Sequence, residues 1–285
     1  GRTANACGGC VALEAEPGAV CGTCPLKIAT CVGVDAVTCD TPDIPPLGGT
    51  LGRDSYYFGT EARATFTYSF AMGATEVTQR QWSALDFPLD PGHRCPDCPV
   101  EQITFAQAVA FANAASEREG LDACYFANGL VYTLAHAQRQ PPTLPSWRRG
   151  VECMGYRIPT EAEWEAAARY GLRQLDVTYG RALSEVAWFV ETSNQQTHEV
   201  GCLRPTSLGL YDVIGNVREI TWDAWGTLPT EPVTDYYNDG RVLGSTTRSS
   251  DFFATSRDSN LLARTQSSPI EPQALVGLRL VRTVR

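Results

Sequence analysis

Gly155-Tyr156-Arg157-Ile158-Pro159-Thr160-Glu161-Ala162-Glu163-Trp164-Glu165 is the stretch on which the fold turns. Thr160 and Glu163 have capping-box spacing: the Thr hydroxyl accepts an orphan N–H at a helix start and the Glu reaches back to the cap. Pro159 stands just before that cap, and Ala162, Trp164, Ala166, Ala167 and Ala168 follow, so the spacing predicts a helix that ends by Gly171. The same signature recurs at Thr78-x-x-Gln81 and Thr104-x-x-Gln107. After Thr104, the residues Ala108, Val109, Phe111, Ala112 and Ala115 trace one face of a helix that should end near Gly120.

Outside these helices, short β-like runs dominate. Thr65–Phe70 alternates, with Phe66, Tyr68 and Phe70 on one side, and Val186–Val190, Val217–Thr221 and Leu278–Val284 are rich in strand formers. Long stretches of Gly, Pro, Ser and Asn separate them, which predicts an α+β domain with high irregular-loop content. Residues 1–40 hold little apolar bulk, and residues 41–49 read as a linker. The division expected is therefore 1–45, a Cys-rich stapled segment plus linker, and 50–285, the globular domain.

The 285 residues carry 23 Lys+Arg against 32 Asp+Glu, a net charge of −9. That balance argues against nucleic acid or an anionic membrane as the main partner, since both reward clustered cations. No apolar run is long enough for a transmembrane helix. The numbering opens on Gly1 with no charged-then-apolar leader, so any signal peptide has been removed or was not included. Of the 11 cysteines, Cys7, Cys10, Cys21, Cys24, Cys31 and Cys39 crowd the first 39 residues. Such density fits an oxidising compartment, hence a secreted, periplasmic or cell-surface protein, although Cys7-x-x-Cys10 and Cys21-x-x-Cys24 also have zinc spacing. Cys124 and Cys153 can bridge a loop; Cys95-x-x-Cys98 can be a tight local disulfide, a metal knuckle or a redox pair, and the rigidity of Pro96 and Pro99 favours a structural staple; Cys202 is left as a lone thiol.

Five blocks in order carry a resemblance: Glu76-Val77-Thr78-x-x-Gln81-Trp82, then Cys98-Pro99-Val100-Glu101-x-x-Thr104-Phe105, then the opening stretch, then Gly209-Leu210-Tyr211-Asp212-x-x-Gly215-Asn216-Val217-x-Glu219, and finally Gly277-Leu278-Arg279-Leu280-Val281. Together, over about residues 55–285, they resemble the formylglycine-generating enzyme or sulfatase-modifying factor family. The resemblance implies a C-type-lectin-like fold. In active members it implies a copper-dependent oxidase that turns a sulfatase cysteine into formylglycine through a pair of active-site thiols.

Here the stretch that corresponds to those thiols, residues 244–258, has no cysteine, and none occurs after Cys202. Thiolates are what select Cu(I), and hydroxyls cannot replace them. No catalytic residue is therefore assigned. His93, His136 and His198 lack the spacing of a three-His iron site. The resemblance also implies a Ca²⁺ held by the Asp212 side chain, the Gly215 and Val217 carbonyls and the Glu219 carboxylate, a mixed oxygen set of the kind this ion takes. Residues 244–268 correspond to a substrate groove, which makes Arg248, Phe252 and Arg257 candidate ligand-binding residues. The expectation that follows is a secreted, non-catalytic binding or scaffold module, a pseudoenzyme with one Ca²⁺, whose partner is a protein or a small molecule. The alternatives are a copper-dependent oxidase and a diversified C-type-lectin-like receptor.

Overall fold

A computed structural model describes residues 28–31, 37–40, 43–59, 62–139, 142–172, 180–239, 245–268 and 271–285. Most of the Cys-rich segment lies outside them, apart from the antiparallel strand pair Ile28–Cys31 and Val37–Asp40. The three capping boxes all form, with Thr78, Thr104 and Thr160 as caps. They open α1 (Gln79–Ala84), α2 (Phe105–Arg118) and, further on, α4 (Glu161–Ala168). A short α3 (Leu134–Ala137), which the periodicity did not signal, starts at Thr133 with His136 closing a fourth box.

Two four-stranded sheets frame the body. The first is antiparallel, in the order Tyr156–Arg157, Val281–Val284, Ser69–Gly73, Leu47–Leu51. Residues 47–49, expected in a linker, are therefore part of a core sheet. Gly49 donates to Leu208 O at 2.7 Å, and a Cβ there would lie 2.8 Å from the Leu208 side chain, so the glycine serves close packing. The second sheet runs Arg264–Ser267, Ser245–Arg248, Arg218–Ala224, Val276–Gly277. Its long central strand carries the end of the Gly-Asn-Val-x-Glu block.

The run Thr65–Phe70 is not one strand. Ala62–Thr65 belongs to a three-stranded sheet with Ser55–Phe58 and Val233–Thr234, and Ser69–Gly73 belongs to the first four-stranded sheet. The chain changes sheet between them, yet Phe66, Tyr68 and Phe70 all stay buried in one cluster, with ring centroids 5.2–6.1 Å apart. Burial of three rings, not strand pairing, explains their alternation. The strand-rich run at Val186–Val190 contracts to Ala187–Trp188, and the last one to Val281–Val284.

One part of the core gathers around α2, with Trp82, Phe87 and Phe111 packed ring to ring and Trp222 behind Phe105. The other gathers around α4 and the aromatic run. Every residue of α4 is buried, although three of the eight are glutamates. The loop that follows α2 is closed by the Cys124–Cys153 disulfide, which spans 29 positions. Replacing both cysteines by serine is expected to lower unfolding free energy by about 3–4 kcal/mol in the chain-entropy account. Urea denaturation under non-reducing conditions checks this, and an unchanged midpoint would contradict it.

Candidate functional site

Each charge that α4 buries finds a cation. Glu163 accepts from both terminal nitrogens of Arg157 at 2.7 and 2.6 Å and from Tyr68 Oη at 2.8 Å. Glu161 accepts from Arg248 at 2.9 Å and from Arg264 through two nitrogens. Glu165 takes the other arm of Arg248 at 2.8 Å, and Arg169 at 2.6 Å. Trp164 Nε1 donates to Glu219 Oε2 at 2.6 Å, and Arg279 grips both oxygens of Glu219 at 2.7–3.0 Å. Arg248 also lies over the Trp164 ring, 5.2 Å from its centroid. Arg157, Arg248 and Arg279 are each fully buried. The proximity of Glu163 keeps the Arg157 guanidinium charged despite burial, which alone would lower its proton affinity.

One acid beside this network has no cation among its hydrogen-bond partners. Asp223 accepts from the backbone N–H groups of Glu161 and Asn238 at 2.7 and 2.8 Å. Burial first, then repulsion from Glu161, pushes its carboxyl up to about 8. Asp223 thus gives up its proton far less readily than a solvated aspartate.

The expected calcium residues do come together, but not as the expected ligand set. Asp212 is buried with φ +55°, and one of its oxygens accepts from Gly201 N at 2.7 Å while Oδ1 has no hydrogen-bond partner. Gly215 has φ +82°, and a Cβ there would strike Trp188 O at 2.0 Å. Val217 is fully buried. Between them Asn216 accepts from His198 N at 3.0 Å and donates to Glu76 Oε2 at 3.4 Å. Glu219 does not offer a free carboxylate, because Arg279 and Trp164 occupy its oxygens. In this group the oxygens without a hydrogen-bond partner are Asp212 Oδ1 and Glu76 Oε1. Burial raises both, together with mutual repulsion at Glu76: Asp212 to about 6 and Glu76 well above the ordinary carboxylate range.

The candidate groove residues separate. Arg248 is fully buried, with its guanidinium held by Glu161 and Glu165, and it also lines a small cavity with Arg264 and Leu228. Phe252 is only 5% exposed and packs on Phe253 at 4.6 Å. Arg257 is exposed and makes no ion pair among the described residues, and Phe253 is 47% exposed. These two ride on a loop braced at both ends: Arg218 pairs with Asp251 at 3.0 Å, and Glu191 accepts from Ser256 N at 3.1 Å and Ser256 Oγ at 3.0 Å. Cys95 and Cys98 are bonded to each other, so neither sulfur is a thiolate available beside nearby His93. Cys202, expected as a lone thiol, is disulfide-bonded.

The profile of the sulfatase-modifying factor enzyme 1-like domain matches residues 47–284. The chain belongs to this family. It is 31% identical to the chaperone protein LppX of Paenibacillus barcinonensis over 189 residues, 57% of this chain and 65% of that one. It is 33% identical to the formylglycine-generating enzyme of Mus musculus over 110 residues, 33% of this chain and 30% of that one. The matches thus span less than two thirds of these relatives' own length. Among solved structures, Treponema denticola variable protein 1 superposes with a TM-score of 0.71 at 25% identity, over 83% of this chain and 95% of that one. CarF follows at 0.62 and 22% identity, over 85% of this chain and all of the other, a likeness of fold. The α+β, C-type-lectin-like expectation agrees with these neighbours.

Glu76, Arg157 and Arg279 lie in the blocks that carry the family resemblance, and their spacing gives no sign of their roles. A signal was present: Glu161, Glu163 and Glu165 alternate in a stretch otherwise made of Ala and Trp, and a helix without a polar face must bury its acids.

The sign of the Asp223 effect is definite. The unfolded chain releases this proton near 3.8 and the folded protein near 8, so between those values the folded state binds more protons. Its contribution to stability is full below the lower value and is lost as pH rises through the upper one. The loss runs on the order of 1 kcal/mol per pH unit. Asp223→Asn is expected to flatten the decline of melting temperature between about pH 5 and pH 8. Parallel profiles for the variant and its parent would contradict this.

Proposed function

We propose that the chain is a secreted, non-catalytic binding module whose recognition surface is the loop 251–260, with Phe253 and Arg257 as its contacts. One observation carries the reading. The strand Ser245–Arg248, in the stretch that corresponds to the family's reactive thiols, carries no sulfur and is locked by Arg248 to Glu161 and Glu165, while the next loop offers an aromatic and a free guanidinium on a braced backbone. Rigid aromatics and forked donors recognise partners at low entropic cost. The likeness to a chaperone supports binding over oxidation, and the disulfides support an oxidising compartment.

The test of the non-catalytic reading is mass spectrometry. A cysteine-containing sulfatase peptide incubated with the protein, copper and oxygen should keep its mass. Conversion of the cysteine to an aldehyde would overturn the reading. Phe253→Ala and Arg257→Ala should leave stability within about 0.5 kcal/mol of the parent, since both side chains reach water.

A structural Ca²⁺ belongs to the same proposal, with a revised set of ligands. Two buried carboxyls, each with an unsatisfied oxygen, repel one another, and a divalent cation relieves both. Asp212 and Glu76 would supply the charge, with Gly215 and Val217 as carbonyl donors. Removing the ion with EDTA should lower the melting temperature, and added Ca²⁺ should restore it. A melting temperature indifferent to both would leave the two acids sharing a proton instead.

A further inference from the structure

A cavity of about 650 Å³ opens beside α2, far along the chain from the loop 251–260. Its wall on α2 is made of Ala110 and Ala114, one turn apart, whose small side chains leave the space. Leu85 and Phe87, just after α1, form a second wall, and Val131 and Leu134 a third. The size is that of sites for small organic ligands.

The polar groups that line it fall into two kinds. Those on the inside are already used. Asn113 donates to the carbonyls of Tyr125 and Tyr132 at 2.8 and 2.9 Å and accepts from the N–H groups of Cys124 and Tyr125. Tyr132 donates its hydroxyl to Thr143 O at 2.6 Å, and Thr133 Oγ1 meets His136 at 3.0 Å. Those at the edge are Asp86 and Glu117, both exposed, and neither carboxylate has an ion pair among the described residues. No Lys or Arg lines the cavity. The hairpin edge beside it keeps Leu130 66% and Val131 44% exposed. Val131 thus joins the apolar wall of the cavity to that exposed edge.

We propose that this cavity binds a small molecule with an apolar body and a single cationic head, such as an amine or a guanidine. The apolar walls offer no hydrogen bond to a ligand, so the body is taken for its hydrophobic surface. The two unpaired carboxylates then select the sign of the head. Polar neutral ligands would have to leave their hydrogen bonds unmade inside, at a cost.

Octylammonium, octanol and octanoate serve as probes of equal chain length, titrated into the full chain by calorimetry near neutral pH, below the concentrations at which they self-associate. Octylammonium should bind saturably and about fivefold or more tighter than octanol, the scale set by an exposed ion pair, with octanoate weaker than both. The Asp86→Asn, Glu117→Gln double variant, altered only at exposed positions, should bring octylammonium down to the level of octanol. Ala114→Trp should abolish binding of all three by filling the space. Equal affinity for octylammonium and octanoate would overturn the proposal. So would the absence of saturable binding, or a preference for the cation that persists in the double variant.

Discussion

The fold depends on neutralising the glutamates of one buried helix. In α4 a helical segment of eight residues has no solvent face, yet three of its side chains carry negative charge. An isolated carboxylate at such depth would cost several kcal/mol, so each must find a cation from another part of the chain. Arg157 comes from the first four-stranded sheet, Arg248 and Arg264 from adjacent strands of the second, and Arg279 reaches the helix through Glu219 and Trp164. The cations therefore act as cross-links between α4 and both sheets. Planar guanidinium forks suit the task, because one arginine can bind two carboxylates at once, as Arg248 does with Glu161 and Glu165.

That arrangement bears on function. The strand in the stretch that corresponds to the family's reactive thiols ends in Arg248, and its side chain is spent on the frame. On the proposed reading, recognition moves outward, onto the loop that begins at Asp251, where Arg218 and Glu191 hold the chain in place. Two neighbouring guanidinium groups on one segment thus have opposite fates. Arg248 is fully buried and paired, while Arg257 is exposed and unpaired. The adjacent Glu76 and Asp212 show the converse situation: Arg279 is a neighbouring charge to both but hydrogen-bonds to Glu219, and each acid keeps one oxygen without a hydrogen-bond partner.

Much of the fold was legible in the sequence because its signals are local. The capping boxes at Thr78, Thr104 and Thr160 need only four residues each, and all three formed. The staple at Cys95 and Cys98, three positions apart, was legible for the same reason, while the bridge from Cys124 to Cys153 was legible because the two cysteines flank one insertion. What failed was non-local. Whether Phe66, Tyr68 and Phe70 share one strand depends on which sheets lie on either side, and whether Gly49 is flexible depends on Leu208, far along the chain. The site suffered most. Arg248 looks like a surface cation until Glu161 and Glu165 are placed against it, and Glu219 looks like a metal ligand until Arg279 is. Partners 60 to 87 positions apart leave no trace in spacing.

The most direct measurement of this account is a double-mutant cycle on Arg248 and Glu165, with Arg248→Met, Glu165→Gln and the combined variant unfolded in urea. If the buried pair is what joins α4 to the second sheet, each single change removes a charge-assisted hydrogen bond while Glu161 still holds Arg248 and Arg169 still holds Glu165, so it costs about 1–3 kcal/mol, and the combined change costs clearly less than the sum of the two. Costs that simply add, or single changes tolerated within about 0.5 kcal/mol, would mean that the fold does not rest on these ion pairs.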